Sequence, residues 1–436
     1  MNISLSNRTV QFLTGLLCAV LYAVVGVPEI IALYFLVIYC KELKELLSKN
    51  YEEVVEQGIY LIPLLGITVY RGIPLGNIYL ALFSLYIMLV DRKVGMRRKT
   101  FTFFSFVVFL DIVRYVIYIG DNVSILSVIS VPVLYLCMFS GIAAYEICKT
   151  KKAIMNIMVS FIEGTATSIV YGFVVRMRQG GVVNAILNVS ILNRNSGASG
   201  DPNYYGLYIC IASSFLIVLM GLYESYDLKA FALVAGMIFM GLSSSSRMFY
   251  ILAMICIAAL LAIMIRNLFI TKKQIGTIAF FIVLMLFLWF ARNIISANIS
   301  YLLSRMDYSS TSKLTNGRSD LAYAYISYMD SSVLRPILGI GIAQYNLRSG
   351  VGHYAHNVYI ELYVTMGILG AIAVGALLLY FLVKNFSLKN WRIFIAVIIL
   401  VLGGAAVNYL EVDSFYILFA VIAKMIVLCK GVTTNE

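Results

Sequence analysis

The sequence predicts an all-α fold, a polytopic bundle of transmembrane helices, and three observations carry that prediction. First, 61% of the 436 residues are hydrophobic, 12% are charged and the mean hydropathy is +0.92, whereas a soluble domain is about half apolar and about a quarter charged. Second, apolar runs recur along the whole chain at lengths near the roughly 20 residues that a helix needs to cross the hydrocarbon core. Third, Lys and Arg gather in alternate connections, as they do in cytoplasmic loops of membrane proteins.

Taken in order, the apolar runs occupy residues 9–26, 28–41, 58–71, 74–90, 101–119, 123–146, 153–175, 205–223, 228–242, 248–265, 275–292, 356–382, 391–409 and 412–429. The first is expected to be a retained span, because the apolar pattern continues after it with no soluble body. Runs 28–41, 58–71 and 228–242 are short enough to be half-spans or tilted helices, so about 12–14 spans are expected. The basic clusters are Lys41/Lys44/Lys49, Arg92/Lys93/Arg97/Arg98/Lys99, Lys149/Lys151/Lys152, Arg266/Lys272/Lys273 and Lys384/Lys389/Arg392. Fourteen spans put all of them on one side, with both termini in the cytoplasm. No internal repeat, low-complexity tract or soluble domain interrupts residues 1–436, which read as a single integral membrane domain.

The net charge of +12 belongs mostly to this orientation signal and its anionic lipid headgroups, not to nucleic acid. The seven cysteines are scattered through apolar runs without C-x-x-C spacing, which reads as packing rather than as a metal site or disulfide framework.

Two outward connections are longer than turns, residues 176–204 and 293–354, and the polar chemistry lies there. Loops of such length are uncommon unless they are disordered or work as lids or binding elements. A helix is expected from about residue 318 to 331, ended by Arg335-Pro336. Basic residues on the outer side number eleven arginines against one lysine, among them Arg176, Arg178, Arg194, Arg247, Arg318, Arg335 and Arg348. The orientation signal treats Lys and Arg alike, so it does not explain the bias. A guanidinium binds phosphate oxygens through two donors and tolerates a dry site; an outward cavity for a phosphate or diphosphate would select it. For any single arginine the simpler role is folding the loop or pairing with Asp307, Asp320 or Asp330.

His353 and His356 are the only histidines, and both fall where the long outer loop enters the run 356–382. Histidine suits proton transfer near neutral pH, while a histidine at a helix start is also a common cap or anchor. If the helix includes it, His356 shares a face with Tyr359 or Ile360 and Tyr363, and Gly367 with Gly370 lets a neighbouring helix approach. Asp111 and Arg114, inside the fifth run, most simply pair with each other, although an ionisable residue in a span is by default a functional candidate.

His356-Asn357, nine residues, Gly367, two residues, Gly370 resembles the signature of the superfamily of O-antigen ligases and O-antigen polymerases (Wzy type). Arg318 followed by Pro336, Gly339 and Gly341 is similar to the pattern of that superfamily's large outer loop. Asp201-Pro202-Asn203 resembles its Asp-Pro-Asn turn, and Ser245-Ser246-Arg247 its Ser-Arg at a span mouth. These segments stand in the expected order over roughly the C-terminal 240 residues. The tryptophan that often follows the loop arginine is absent, and Leu321, Ala322 and Tyr323 stand in that region.

The resemblance implies a polymerase at the outer face of a bacterial plasma membrane. It would transfer glycan from an undecaprenyl-diphosphate-linked oligosaccharide donor to a hydroxyl of a second lipid-linked acceptor, with a chain-length regulator as a possible partner. The implied catalytic residues are His356 as base, with Arg318 and Arg247 on the departing diphosphate. Arg176, Arg178, Arg194, Arg335, Arg348, Asp320, Asn357 and Glu361 are the second rank for substrate binding or for positioning His356. No cofactor and no metal are expected, because no Asp-x-Asp pair or outer carboxylate cluster is visible unless Asp201, Asp320 and Asp413 meet in space. Two alternatives stand beside this: ligase-type transfer of a finished glycan to a terminal acceptor, and a flippase for the same lipid-linked sugar, against which the lack of repeated halves speaks.

Overall fold

In the computed structural model of the chain, the described residues are 7–90, 98–118, 125–187, 194–222, 228–269, isolated positions between 278 and 300, then 317–387, 391–410, 412 and 414–429. Nearly all of them are helical, and the molecule is a polytopic membrane helix bundle. Among the described residues, five helical stretches are long and apolar enough to cross a membrane: Arg8–Val25, Lys151–Gly181, Pro202–Leu222, Arg247–Arg266 and Val358–Asn385. Shorter apolar helices fill the gaps between them.

The chain opens with α1 (Asn7–Val25), α2 (Glu29–Leu47) and α3 (Tyr51–Leu61), the last extended by a 3-10 turn, Ile62–Leu64. The run expected at 58–71 is therefore not a span of its own. The helix starts at Tyr51, and beyond the turn the chain folds into a two-residue hairpin, β1 (Val69–Tyr70) on β2 (Ile73–Pro74), with Arg71 and Gly72 left-handed at its tip. There follow α4 (Leu75–Val90), α5 (Arg98–Ile117), α6 (Ile125–Ile147), α7 (Lys151–Leu187), α8 (Pro202–Leu222), α9 (Leu228–Gly241) and α10 (Arg247–Phe269). Most of the run expected at 275–292 lies outside the described residues.

Helix α8 is the centre. It is apolar all round, as a helix enclosed by others must be, and α7, α9, α10 and a late helix, α15 (Trp391–Gly403), pack around it. Without water between helices the driving terms are close packing and interhelical hydrogen bonds rather than hydrophobic burial. Phe161 of α7 meets Tyr208 and Phe215 of α8 edge-on, an arrangement worth about 0.5–1.5 kcal/mol per pair. At the rim of the bundle, by contrast, Leu13, Leu17 and Leu21 of α1 and Leu33, Leu36 and Val37 of α2 stand exposed, the face that lipid would cover.

Among its described residues the long loop contains three short helices, α11 (Arg318–Asp330), α12 (Leu334–Leu338) and α13 (Tyr345–Arg348). The expected helix from 318 is present, but it stops at Asp330 before Pro336, which sits inside α12. Tyr325, Met329, Ile340, Tyr345, Ala355 and Val364 form a small core beneath α11. The chain then enters α14 (Val358–Asn385), which is broken at Gly367 (φ 66), and closes with α15 and α16 (Phe415–Cys429).

The break gives the expected close approach a particular partner: Gly367 admits the end of the short helix α12, at Ile337, and Gly339 just after it, whereas Gly370 meets only Met366 of its own helix. A Cβ on Gly367 would collide with Ile337 O and Gly339 N, and one on Gly339 with Thr365 O. Through this gap Ile340 N–H donates to Val364 O (2.9 Å) and Gly341 N–H to Thr365 O (2.9 Å), so the carbonyls freed by the break are satisfied by the loop.

Candidate functional site

The mouth of the bundle is organised by the loop joining α7 to α8. Asn195 ties it down: its backbone N–H donates to Ser243 O (3.0 Å), its Nδ2 to Ser243 Oγ (3.0 Å), and its Oδ1 accepts from Gly197 N–H (2.9 Å). Ala198 N–H donates to Ser168 Oγ of α7 (2.8 Å), and Ile67 N–H donates to Ala198 O (3.1 Å). The loop is thus fixed from three sides.

It ends at Asp201, whose Oδ1 accepts from the amides of Asn203 (2.6 Å) and Tyr204 (3.3 Å); this caps α8. Asn203 Oδ1 in turn accepts from Ser246 Oγ (2.9 Å) and Arg194 Nη2 (3.4 Å), while Arg194 Nε donates to Ser244 O (3.0 Å). These bonds set the N-termini of α8 and α10 side by side, with Arg247 as the first residue of α10. Beside them lies a cavity of about 300 Å³ whose lining includes Arg176, Gln179, Arg194 and Gly200. The loop expected from residue 176 starts later than that, because α7 runs on past Arg176 and Arg178 to a break at Gly181 (φ 80) and is followed by a further helical stretch to Leu187.

His356 approaches from the outer loop. It precedes α14 instead of standing on it: Asn357 is the N-cap, its Oδ1 accepting from Tyr359 N–H (2.9 Å) and Ile360 N–H (3.3 Å), and His356 turns left-handed before it (φ 48). The face expected for His356 with Tyr359, Ile360 and Tyr363 is therefore not formed, because a capped helix needs a turn ahead of the cap. Ser245, just before α10, is left-handed as well (φ 48). Non-glycine residues hold that conformation where the surroundings over-determine it, which is common in working sites.

The charges around His356 join the two halves of the mouth. Burial lowers its pKa below the usual histidine value; the nearby Arg318 charge lowers it further, Asp201 opposes this, and His353 adds a smaller push downward. The imidazole is neutral at pH 7, the form that accepts a proton. Arg318 is the first residue of α11, so α8, α10, α11 and α14 all begin around this mouth. Helix N-termini carry partial positive charge and favour an anion between them; Arg176, Arg194, Arg247 and Arg318 add full charges at the same end.

The other sequence candidates have different tasks. Arg178 Nη1 donates to Ala23 O (2.7 Å) at the end of α1. Arg335 Nη1 donates to Tyr328 O (3.1 Å) and Ser331 Oγ (2.6 Å), and its guanidinium lies over the Tyr328 ring. Arg348, 4% exposed, donates to Ala343 O (2.8 Å), Gly341 O (2.9 Å) and Ile340 O, and stacks on Tyr115. Glu361 is fully buried and accepts from the amides of Tyr409 (2.9 Å) and Leu410 (3.2 Å), so it pins the α15–α16 connection. Asp320 is exposed on the first turn of α11, and Asp413 lies outside the described residues.

Asp111 also departs from expectation. Its partner is not Arg114 but the amide of Ile342, which donates to Oδ1 (3.0 Å) and Oδ2 (3.1 Å), together with Tyr135 OH (2.5 Å). Asn195 and Ser168 escaped the sequence reading, since single Asn and Ser residues in apolar chains carry no spacing signal, whereas Ser243 belongs to the serine run 243–246 that marks the end of a short span. Asn203 and Tyr204 were within reach, as the residues following the Asp-Pro turn.

A comparison with curated proteins finds no match. A protein-family comparison does find one, over about a third of the chain, from the start of α9 to the middle of α14. Residues 232–375, the stretch that holds Arg247, Arg318 and His356, are similar to the family described as O-antigen ligase (Wzy_C).

Proposed function

We propose that the protein transfers a glycan from a polyprenyl-diphosphate carrier to an acceptor hydroxyl at the outer face of a bacterial plasma membrane. The single observation that supports this most is that His356, kept neutral by burial, feels the charges of Arg318 and of the Asp201 cap of α8, beside a cavity lined by Arg176 and Arg194. In the reaction the acceptor oxygen bonds to the anomeric carbon, the carbon–phosphate oxygen bond breaks, the electron pair leaves with the diphosphate, and the hydroxyl proton passes to His356. Arg318 and Arg247 stabilise the charge developing on the leaving oxygen, a task in which preorganised cations at a partly dry site are worth most. Arg176 and Arg194 hold the rest of the diphosphate. The Lys and Arg clusters support the orientation, with the mouth outward and both termini in the cytoplasm.

Within this chemistry the matched family is described as O-antigen ligase, which favours transfer of a finished glycan to a terminal acceptor over the polymerase expected from the sequence. A surface-glycan gel tests both readings. With membrane expression checked in parallel, Arg318→Ala, Arg247→Ala and His356→Ala should each remove all surface-attached long glycan if the protein is a ligase. If it is a polymerase they leave a single-repeat band without the ladder. An unchanged ladder in all three variants overturns the site.

A further inference from the structure

Two helices measure the depth of the segment that docks under the outer loop. At 1.5 Å per residue Gly367 lies about 26 Å from Lys384 at the far end of α14, and Asp111 about 18 Å from Lys99 at the start of α5. Both heights fall inside a hydrocarbon core of about 30 Å, and helix tilt only lowers them. Residues 337–339 abut Gly367, and Ile342 is bonded to Asp111, so residues 337–343 lie at membrane depth although they are largely non-helical.

Irregular backbone survives at that depth only where protein satisfies its polar groups, and here it does. The amides of Ile340 and Gly341 donate to α14, and that of Ile342 to Asp111. The carbonyls of Ile340, Gly341 and Ala343 accept from Arg348. The outward side of the same element is apolar: Val333 is 81% and Leu334 57% exposed, and Ile337 and Leu338 are exposed with them. This patch continues into exposed Ile368, Leu369 and Ile372 of α14 beyond the break. Arg335, the one charge in α12, turns away to Tyr328 and Ser331, as a long basic side chain does at an interface.

From this we infer that residues 333–343 form a re-entrant element whose Val333, Leu334, Ile337 and Leu338 seat among the acyl chains of the leaflet opposite Lys384. The bilayer surface is its partner. This rests on the membrane reading of the bundle and not on the proposed transfer. Its consequence for that transfer is that Arg318 and His356 are tethered at headgroup height, where a lipid-linked diphosphate lies.

The test uses the whole protein in phospholipid vesicles. With Trp289→Phe and Trp391→Phe removing the two native tryptophans, Leu334→Trp places one reporter on α12 and Tyr323→Trp places another on the exposed side of α11. Phospholipid brominated on its acyl chains should quench the reporter at 334 several-fold more than the one at 323, and aqueous iodide should show the reverse order. Iodide quenching at 334 equal to that at 323 overturns the inference, because the patch then faces water. Failure of both quenchers at 334 overturns it too, because protein then covers the patch. Val333→Trp, at the most exposed position, repeats the measurement if Leu334→Trp is not recovered from membranes.

Discussion

Arg318 and Arg348 stand in the same outer loop and belong to the same arginine-rich face, yet the structure employs them in opposite ways. Arg348 is enclosed and spends its donors on three backbone carbonyls of its own loop. Arg318 is half-buried at the start of α11, and its charge is felt by His356. The difference teaches that an arginine bias on one face of a membrane protein mixes two populations. One is committed to protein backbone; the other, in the proposed function, meets the diphosphate. Arg178 and Arg335, each bonded to a backbone carbonyl, fall with Arg348, Arg247 is proposed with Arg318, and Arg194 does both, bonding Ser244 O and Asn203 Oδ1 while lining the cavity with Arg176.

The comparison breaks most easily at Arg348. Arg348→Ala strands three carbonyls, each costing about 1–3 kcal/mol when left buried and unsatisfied, read as a large drop in unfolding temperature in detergent and in membrane yield. Arg318→Ala should do the reverse, leaving the unfolding temperature nearly unchanged while lowering glycan transfer by about 10²-fold or more, the typical loss of one oxyanion-type donor. If Arg318→Ala unfolds the protein and Arg348→Ala only slows transfer, the two assignments are exchanged. Asp111→Asn sharpens the same division at smaller scale: it weakens a charge-assisted bond worth about 1.5–3 kcal/mol, and the loss should appear in stability before transfer.

The smallest effect concerns pH. The folded-state pKa of His356 is lowered, so its neutral form persists below the usual histidine value. Transfer should therefore hold through neutral pH and decline only as the pH falls through that lowered pKa. Arg318→Gln removes a charge that pushes the pKa down, so whatever activity remains should decline at higher pH than in the wild type. Asp201→Asn keeps a helix cap but removes the opposing charge, and moves the decline to lower pH. A pH–rate profile in which neither variant moves that limb removes His356 from the base role. By linkage the lowered pKa also means that the stability His356 contributes is present above its unfolded pKa and lost on acidification.

Helix content was legible in the sequence because lipid imposes a length and a composition on every span, and a run such as 205–223 satisfies both without help from elsewhere. The His356–Gly370 stretch was legible as part of the family's pattern for a similar reason: its residues are local, and the matched segment includes them. What escaped were partners distant in the chain. Asp111 reads as half of a pair with Arg114 until the loop at Ile342 is folded back against it, and nothing local to Gly367 says that the helix it admits is α12, with Gly339 beside it. The third run failed because its apolar residues, from Gly58 to Ile67, are shared between a helix end, a 3-10 turn and the start of a hairpin. Composition does not mark such joints.

Helix α8 carries one more consequence. It is walled in on every side, and its first turn holds Asp201, Asn203 and Tyr204, so that edge of the mouth behaves as a stator. In the proposed transfer, closing over a glycan therefore falls to the opposite rim, which carries Arg318 and His356 and where α11 buries only Tyr325 and Met329. Turnover would then be paced by a rocking cover over a stationary floor, and hydrogen exchange should be fast across α11 and slow through the first turn of α8.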